Sequence, residues 1–450
     1  MNYLINLTLT QMGFWITWAL IPIVVEIIPS LISALHLMRQ SRHLRQLEAP
    51  AKLPFISVIV PVYNSEETLF ACLQSINDST YPNRNMQIVL ADNQSTDDSF
   101  GAYARAQNHF DLNLQLMRTA QGKAKALNGA IYQCIGTYII NIDSDGVLEK
   151  NALMNMVLHF ENDIDLAALT GTILTQRHQI KQTPKRWLRF LQKTEYFEYA
   201  QAFLSGRTIE SNKNELFTMS GAFSAFRKST LVDTFMYNTD TVGEDTDMTF
   251  QVRQRLKQKV MLCADAIFYI EPLESLEQLY KQRQRWMRGE LEVSKEYMQH
   301  NATLGNFFNN FLVRRMMIDH TFVFPKMIWM FASVVLLFFR YSPVVLGLSY
   351  VVIYLLYVFV SLVNYVSVGR LLQKFPDEQK FYHSIRWVVW SLPLYNFFVS
   401  WIRLVGVINS MSLPGVWNTA TFTTEARSAK HVVGQDARYL RQKKGSEWNH

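Results

Sequence analysis

Residues 12–38 form a nearly uninterrupted apolar run of 27 residues, and this run limits the chain more than any other feature. At ~1.5 Å per residue, a helix of that length exceeds a hydrocarbon core of ~30 Å and can cross a bilayer with tilt. No Lys or Arg precedes it, whereas Arg39, Arg42, Arg45 and Lys52 come after it. That order leaves the N-terminus outside and the downstream residues in the cytoplasm, the reverse of a cleaved signal peptide. Three more apolar stretches, near 321–339, 343–368 and 385–408, come after a polar middle, the last interrupted by Pro393. The expected organisation is an anchor at 1–40, a cytosolic domain at 41–310, a membrane region at 311–410 and a basic tail at 411–450. Charge disagrees about the tail. Three spans would carry it outside, yet Arg427, Lys430, Arg438, Arg441, Lys443 and Lys444 favour the cytoplasmic side. Glu26, deep in the first run, is either a functional group or one that helix tilt brings to an interface.

Composition narrows what the middle can do. Cys72, Cys134 and Cys263 are too widely spaced for a disulfide framework or a C-x-x-C motif, and the ten histidines show no zinc-ligand spacing. Any metal must therefore be held by carboxylates. The net charge of +7 is accounted for by basic residues flanking membrane spans, so no nucleic-acid partner is expected.

The middle alternates between short apolar runs and helical periodicity. Residues 55–60 are a β-branched run ended by Pro61, the pattern of a strand buried on both faces. Asn64 and Glu67 then resemble a capping box ahead of Leu69, Cys72, Leu73 and Ile76 at helical spacing. Strands are expected at 87–91, 112–117 and 138–142, with helices after Asp97 and around Ala126–Cys134. This βαβ repetition predicts an α/β domain with an open sheet covered by helices, whose ligands bind beyond the carboxyl ends of the strands. Asp92, Asp143 and Asp145 stand at those ends. Neither a dinucleotide nor a P-loop glycine motif occurs, so phosphates must be held by metal and basic side chains.

Asp143 and Asp145, two apart in I-D-S-D-G, can reach one hard divalent ion, Mg²⁺ or Mn²⁺; the alternative is an Asx-turn closing the strand. Lys123 opens the helix of GKAKALNG, where a cation and free N–H groups can meet an anion, unless it is an ordinary solvated lysine. Glu244 and Asp245 precede a helical stretch and read either as first-turn acids or as a general base. Ser275 and Gln278 predict another helix start, placing Gln282, Arg285 and Trp286 on one face. Arg can grip a diphosphate, Gln can donate, and Trp offers a flat surface to a sugar ring. The basic amphipathic stretch 185–203, with Trp187, Phe190, Leu191 and Phe197 on one side, suits either a membrane surface or the sheet.

With these residues in order, the sequence resembles the membrane-integrated family 2 glycosyltransferases, the class of hyaluronan, chitin, cellulose and poly-N-acetylglucosamine synthases. Asp92 ends the second strand, Asp143-Ser144-Asp145 matches D-x-D, Gly243-Glu244-Asp245 stands for T-E-D, and Gln282-Arg283-Gln284-Arg285-Trp286 matches Q-x-x-R-W. Lys123 matches the family's nucleotide-contacting lysine. The size and single N-terminal anchor also resemble glycosyltransferases associated with the exosortase G system of Gram-positive bacteria. The resemblance implies a GT-A fold, a nucleotide-sugar donor (usually UDP-linked) and inversion at the anomeric carbon. It also implies Asp245 as base beside Glu244, Asp92, Lys123 and Asp143 at the nucleotide, and Q-x-x-R-W near diphosphate and acceptor. Three departures stand out: Asn93 replaces the usual second acid, Gly243 replaces threonine, and FTMSGAF at 217–223 replaces F-F-C-G-S.

The expected enzyme is an inverting, metal-dependent hexosyltransferase at the plasma membrane that extends a β-linked cell-surface or extracellular polysaccharide, with room for membrane or secretion partner subunits. The rivals are a non-processive transferase acting on a lipid carrier, and a non-catalytic scaffold with a degenerate domain.

Overall fold

The computed structural model describes residues 23–40, 47–298, 331, 335–339 and 342–410. The start of the 12–38 run, the Glu26 side chain, most of the expected span at 321–339 and the tail at 411–450 lie outside the described residues. Within them the first run is helical: a π-helical turn, Ile23–Ile27, leads into α1, Ile28–Gln40.

Eight strands form one mixed sheet: β1 Ile56–Val62, β2 Met86–Asp92, β3 Leu114–Arg118, β4 Tyr138–Ile142, β5 Gly146–Leu148, β6 Leu166–Thr175, β7 Phe223–Arg227 and β8 Lys259–Ile270. Their spatial order is β3-β2-β1-β4-β7-β6-β8-β5. The first four strands are parallel, as the βαβ repetition requires. β7 pairs antiparallel with β4 and β6, while β8 runs parallel to β6. The chain grows outward from β1 to β3, then returns to place β4 on the other side of β1. That reversal opens a crevice at the carboxyl ends of β1 and β4.

Between the strands lie α2 Leu69–Asn77, α3 Ser99–His109, α4 Lys123–Gln133 and α5 Ala152–Asn162. Leu69, Cys72, Leu73 and Ile76 of α2 are all buried, as their spacing predicts. Two expectations need correction. β1 runs through Pro61 to Val62. Its pairing with β4 ends at Ile59, so at Pro61 one side of the strand is an edge, where a missing N–H costs little. Asn64 is not a helix cap: its backbone is left-handed (φ 48°), its Oδ1 accepts from the Thr96 N–H at 2.8 Å, and α2 begins only at Leu69. An Asn tolerates that conformation and ties two loops together.

The antiparallel half carries α6 Arg177–Gln182, α7 Arg186–Tyr199, a π-helical segment Ala200–Gly206 leading into α8 Arg207–Asn212, α9 Lys228–Asp233, α10 Glu244–Phe250 and α11 Leu276–Met298. On α7, Leu191 and Phe197 are buried while Trp187 and Phe190 are exposed, and the Phe190 ring stacks on Trp387 at 5.3 Å. The amphipathic stretch thus splits between core and surface instead of presenting one apolar side.

After these come α12 Pro343–Leu371, α13 Pro376–Ser384 and α14 Val388–Ser410. Leu346–Lys374 and Val388–Val405 are long and apolar enough to cross a membrane by length and composition. Leu348, Val352, Leu355 and Phe359 of α12 are exposed, an apolar stripe that water solvates poorly. Polar clamps hold these helices to the domain. Arg177 pairs with Asp377 (3.1 Å) and Glu378 (2.8 Å), Tyr196 donates to Glu378 (2.7 Å), and Lys374 pairs with Asp265 (2.9 Å). Burial opposes the charge of Asp265, but His159 and Lys374 more than offset it and hold its pKa well below the usual range.

Candidate active site

The crevice is lined first by the parallel half. Asp143 and Asp145 come directly after β4, with Ser144 between them turned inward so that its hydroxyl meets Ser65 at 2.7 Å. Alternation in the turn therefore sends both carboxylates toward the crevice. Lys123, the first residue of α4, reaches across to Asp143 (Nζ to Oδ1, 2.5 Å) and donates to the Gly221 carbonyl at 3.2 Å. Burial opposes its charge, but Asp143 and then Glu244 raise its pKa on balance, so it stays an ammonium. Asp145 keeps an exposed surface although protein atoms crowd around it. That burial, helped by Asp143 and opposed by Lys123, pushes its pKa up to about 6. Asp92 ends β2 and turns the next loop, accepting from the Ser95 N–H at 3.0 Å. Asn93, where the family's second acid usually stands, accepts from the Gly122 N–H at 2.6 Å and so seats the start of α4.

The antiparallel half supplies the second carboxylate pair. Glu244 and Asp245 are the first two residues of α10, whose Met248 is fully buried against the sheet. One Asp245 oxygen accepts from the Thr246 N–H (2.7 Å), as a first-turn acid does; the other accepts from the Gly221 N–H (3.0 Å). Glu244 is held above the usual carboxylate range by burial and then by Asp245, partly offset by Lys123 and Arg285. Lys123, Asp143, Glu244 and Arg285 thus share one electrostatic site although drawn from four parts of the chain.

Helix α11 closes the third side. Gln278 donates its N–H to Ser275 Oγ (3.1 Å), the expected helix start. Gln282 accepts from the Tyr199 hydroxyl at 3.1 Å, and Trp286, 36% exposed, packs against Phe203 and Tyr199. Gly243 explains its own departure from threonine. A Cβ there would lie 2.8 Å from the Gly289 backbone, one helical turn beyond Arg285, so two glycines let α10 and α11 touch. Glu292, a further turn along, fixes the approach by accepting from Thr241 Oγ1 (2.8 Å) and the Val242 N–H (3.1 Å).

Two contributors are not evident from sequence reasoning. Cys72 is fully buried under the Asp-Ser-Asp turn and donates to the Asp143 carbonyl at 3.6 Å; burial, then Asp145 and Asp143, keep its thiol protonated. Asn141, buried in the middle of β4, donates to the Gly221 carbonyl at 2.7 Å. Its signal is the one polar residue in YIINI, a strand otherwise apolar apart from its leading tyrosine.

The model of the family described as "Glycosyltransferase like family 2" matches residues 54–289, just over half of the chain, and the chain belongs to that family. Together with the mixed eight-stranded sheet, this defines the GT-A fold. A poly-beta-1,6-N-acetyl-D-glucosamine synthase of Staphylococcus aureus (strain COL) is 25% identical over 293 residues, which cover 64% of this chain and 63% of that protein. Its counterpart in Staphylococcus epidermidis is 29% identical over 238 residues, 53% of this chain and 55% of the relative. The chain thus matches less than two thirds of the length of these curated relatives. Among solved structures, a mannosyltransferase from Pyrobaculum calidifontis in complex with GDP-Man and Mn²⁺ superposes with a TM-score of 0.46 at 17% identity, covering 82% of this chain and 98% of the other. Residues 1–349 of S. aureus TarS in complex with UDP-GlcNAc give 0.37 at 18%, covering 57% and 76%.

Proposed function

We propose that this family 2 glycosyltransferase moves N-acetylglucosamine from UDP-GlcNAc onto a growing β-linked surface polysaccharide, with inversion and a divalent metal. The domain at 41–310 faces the cytoplasm, and the anchor at 1–40 and spans within 311–410 hold it at the plasma membrane. The observation that carries this reading is the meeting of Lys123, Asp143, Glu244 and Arg285 in one electrostatic site, with Asp245 bonded to the turn that Lys123 also touches. The synthase names of the relatives favour the acetamido sugar.

Asp143 and Asp145 would hold Mg²⁺ or Mn²⁺. Their fit rests on two hard carboxylate donors two positions apart directly after β4. When bound, the ion neutralises charge building on the departing diphosphate. Lys123 and Arg285 add fixed positive charge on either side of that group. Asp245 accepts the proton of the acceptor hydroxyl as its oxygen attacks the anomeric carbon. The bond from that carbon to the diphosphate breaks on the opposite face, which gives inversion. Trp286 offers its exposed ring to the acceptor sugar, and Asp92 lies at the nucleoside end of the crevice.

Purified full-length protein incubated with a panel of UDP-sugars and Mn²⁺ tests the reading through UDP release. Release with UDP-GlcNAc and a labelled polymer as product are expected. A single-sugar lipid would replace the polymer acceptor with a lipid carrier, and no release from any donor would leave the scaffold reading.

A further inference from the structure

One glycine touches both halves of the site. The Gly221 carbonyl accepts from Lys123 and from Asn141, and the Gly221 N–H donates to Asp245 Oδ2. Its neighbours are pinned separately: Met219 N–H donates to Thr249 Oγ1 (2.9 Å), Ser220 N–H to Thr170 Oγ1 (2.8 Å), and the Ala222 carbonyl accepts from the Asp143 N–H (3.0 Å). The turn leaves little slack, since a Cβ on Gly221 would sit 3.2 Å from Asp245 Oδ2.

The two donors to the Gly221 carbonyl differ in what they can do next. Lys123 is a long, flexible cation facing the crevice and is the group that a diphosphate would draw away. Asn141 cannot move with it. It is 2% exposed, locked in register between Ile59 of β1 and Ser224 of β7, and its own side-chain carbonyl oxygen has no hydrogen-bond partner among the described residues. A buried amide left half satisfied in a sheet centre is a local cost, and such costs gather where a site needs them.

We infer that Asn141, acting through Gly221, is a positioning residue that keeps Asp245 aimed at the acceptor while Lys123 is engaged by the donor. This rests on Asp245 being the base. Asn141 touches neither substrate; it holds the carbonyl of the residue whose N–H orients the carboxylate.

Full-length Asn141→Leu, Gly221→Ala, Asp245→Asn and the Asn141→Leu/Asp245→Asn double variant are compared using UDP-GlcNAc and Mn²⁺. Leucine fills the space of asparagine but cannot donate; alanine at 221 pushes the carboxylate from the other side, so the test survives if one variant folds poorly. The expected result for Asn141→Leu is a kcat lower by ~10–10²-fold, the scale of a small misplacement of a reacting group. Mn²⁺-dependent UDP affinity, donor KM and thermal stability stay near wild type. The double variant is no more than about twofold slower than Asp245→Asn, because residues acting as one unit do not multiply. If both positioning variants keep wild-type kcat while Asp245→Asn is dead, the positioning inference alone falls. It falls equally if the two effects multiply, or if UDP affinity drops as far as kcat. Normal turnover by Asp245→Asn would overturn the base reading and this inference with it.

Discussion

Helix α11 has two unlike faces, and one motif supplies both. Gln282, Arg285 and Trp286 stand at i, i+3 and i+4 of α11, and Gly289 continues that face to meet Gly243. Arg283 and Gln284 are buried and engage α7 and α14 instead. Arg283 pairs with Glu198 at 2.5 Å, lies 3.4 Å from the Tyr395 hydroxyl of α14 and stands over the Trp286 ring at 4.6 Å; Gln284 donates to the Ile402 carbonyl at 2.5 Å. The interior letters of Q-x-x-R-W are thus a clamp on an apolar helix long enough to cross a membrane. A rigid clamp lets the chemical face be placed by packing, not by loop conformation.

Two neighbouring arginines should break in opposite ways. Arg285→Ala should cut UDP release by ~10²–10³-fold, the usual scale for losing one charge-stabilising donor, with a melting temperature near wild type. Arg283→Ala should instead cost stability, ~3–5 kcal/mol for orphaning a buried partner, and should weaken the hold of α14. Rates per folded molecule and thermal melts on both variants decide it, and equal behaviour would erase the distinction between the faces.

A smaller effect sharpens the site face. Restoring the family's usual residue with Gly243→Thr should destabilise by ~1–3 kcal/mol, because the added atoms meet the Gly289 backbone. A melt unchanged from wild type would show that α10 and α11 do not touch there.

The smallest expected change lies on the clamp face. Glu195, beside Arg283, has its pKa pushed up to about 8 by burial, which the Leu273 amide and Arg283 only partly oppose. Between its ordinary value and about 8, the folded state holds a proton that the unfolded state has lost, so stability falls as pH rises through that window. Glu195→Gln removes the titration. Its apparent melting temperature should exceed wild type by about 2–4 °C at pH 8.5, and the difference should vanish near pH 5. Parallel pH curves for the two proteins would contradict this.

Much of the parallel half was legible in the sequence because it is local. β1, β2 and β4 fall within two residues of where their apolar runs predict, and the acids at their ends are placed without knowledge of any distant contact. The capping box at Asn64 misled because the same side chain that starts a helix can also tie two loops. β6, β7 and β8 escaped because their pairing joins residues far apart in sequence, with a bulged register between β6 and β8. On the site, Lys123 and the D-x-D acids were placed by their neighbours in sequence. The Gly221 turn was not, since its importance comes from Lys123, Asn141 and Asp245, which lie 98, 80 and 24 positions away.

The most direct measurement pairs Mn²⁺-dependent UDP binding with UDP release for Asp145→Asn and Asp245→Asn on the same preparations. The account predicts that Asp145→Asn loses both, because an amide brings no negative charge to a hard cation. Asp245→Asn should bind UDP like wild type, since an amide oxygen still accepts from Gly221 or Thr246, while turnover collapses by ~10²–10⁴-fold. Normal transfer by the Asp245 variant, or undiminished Mn²⁺-dependent binding by the Asp145 variant, would contradict the division of the site into a metal pair and a base.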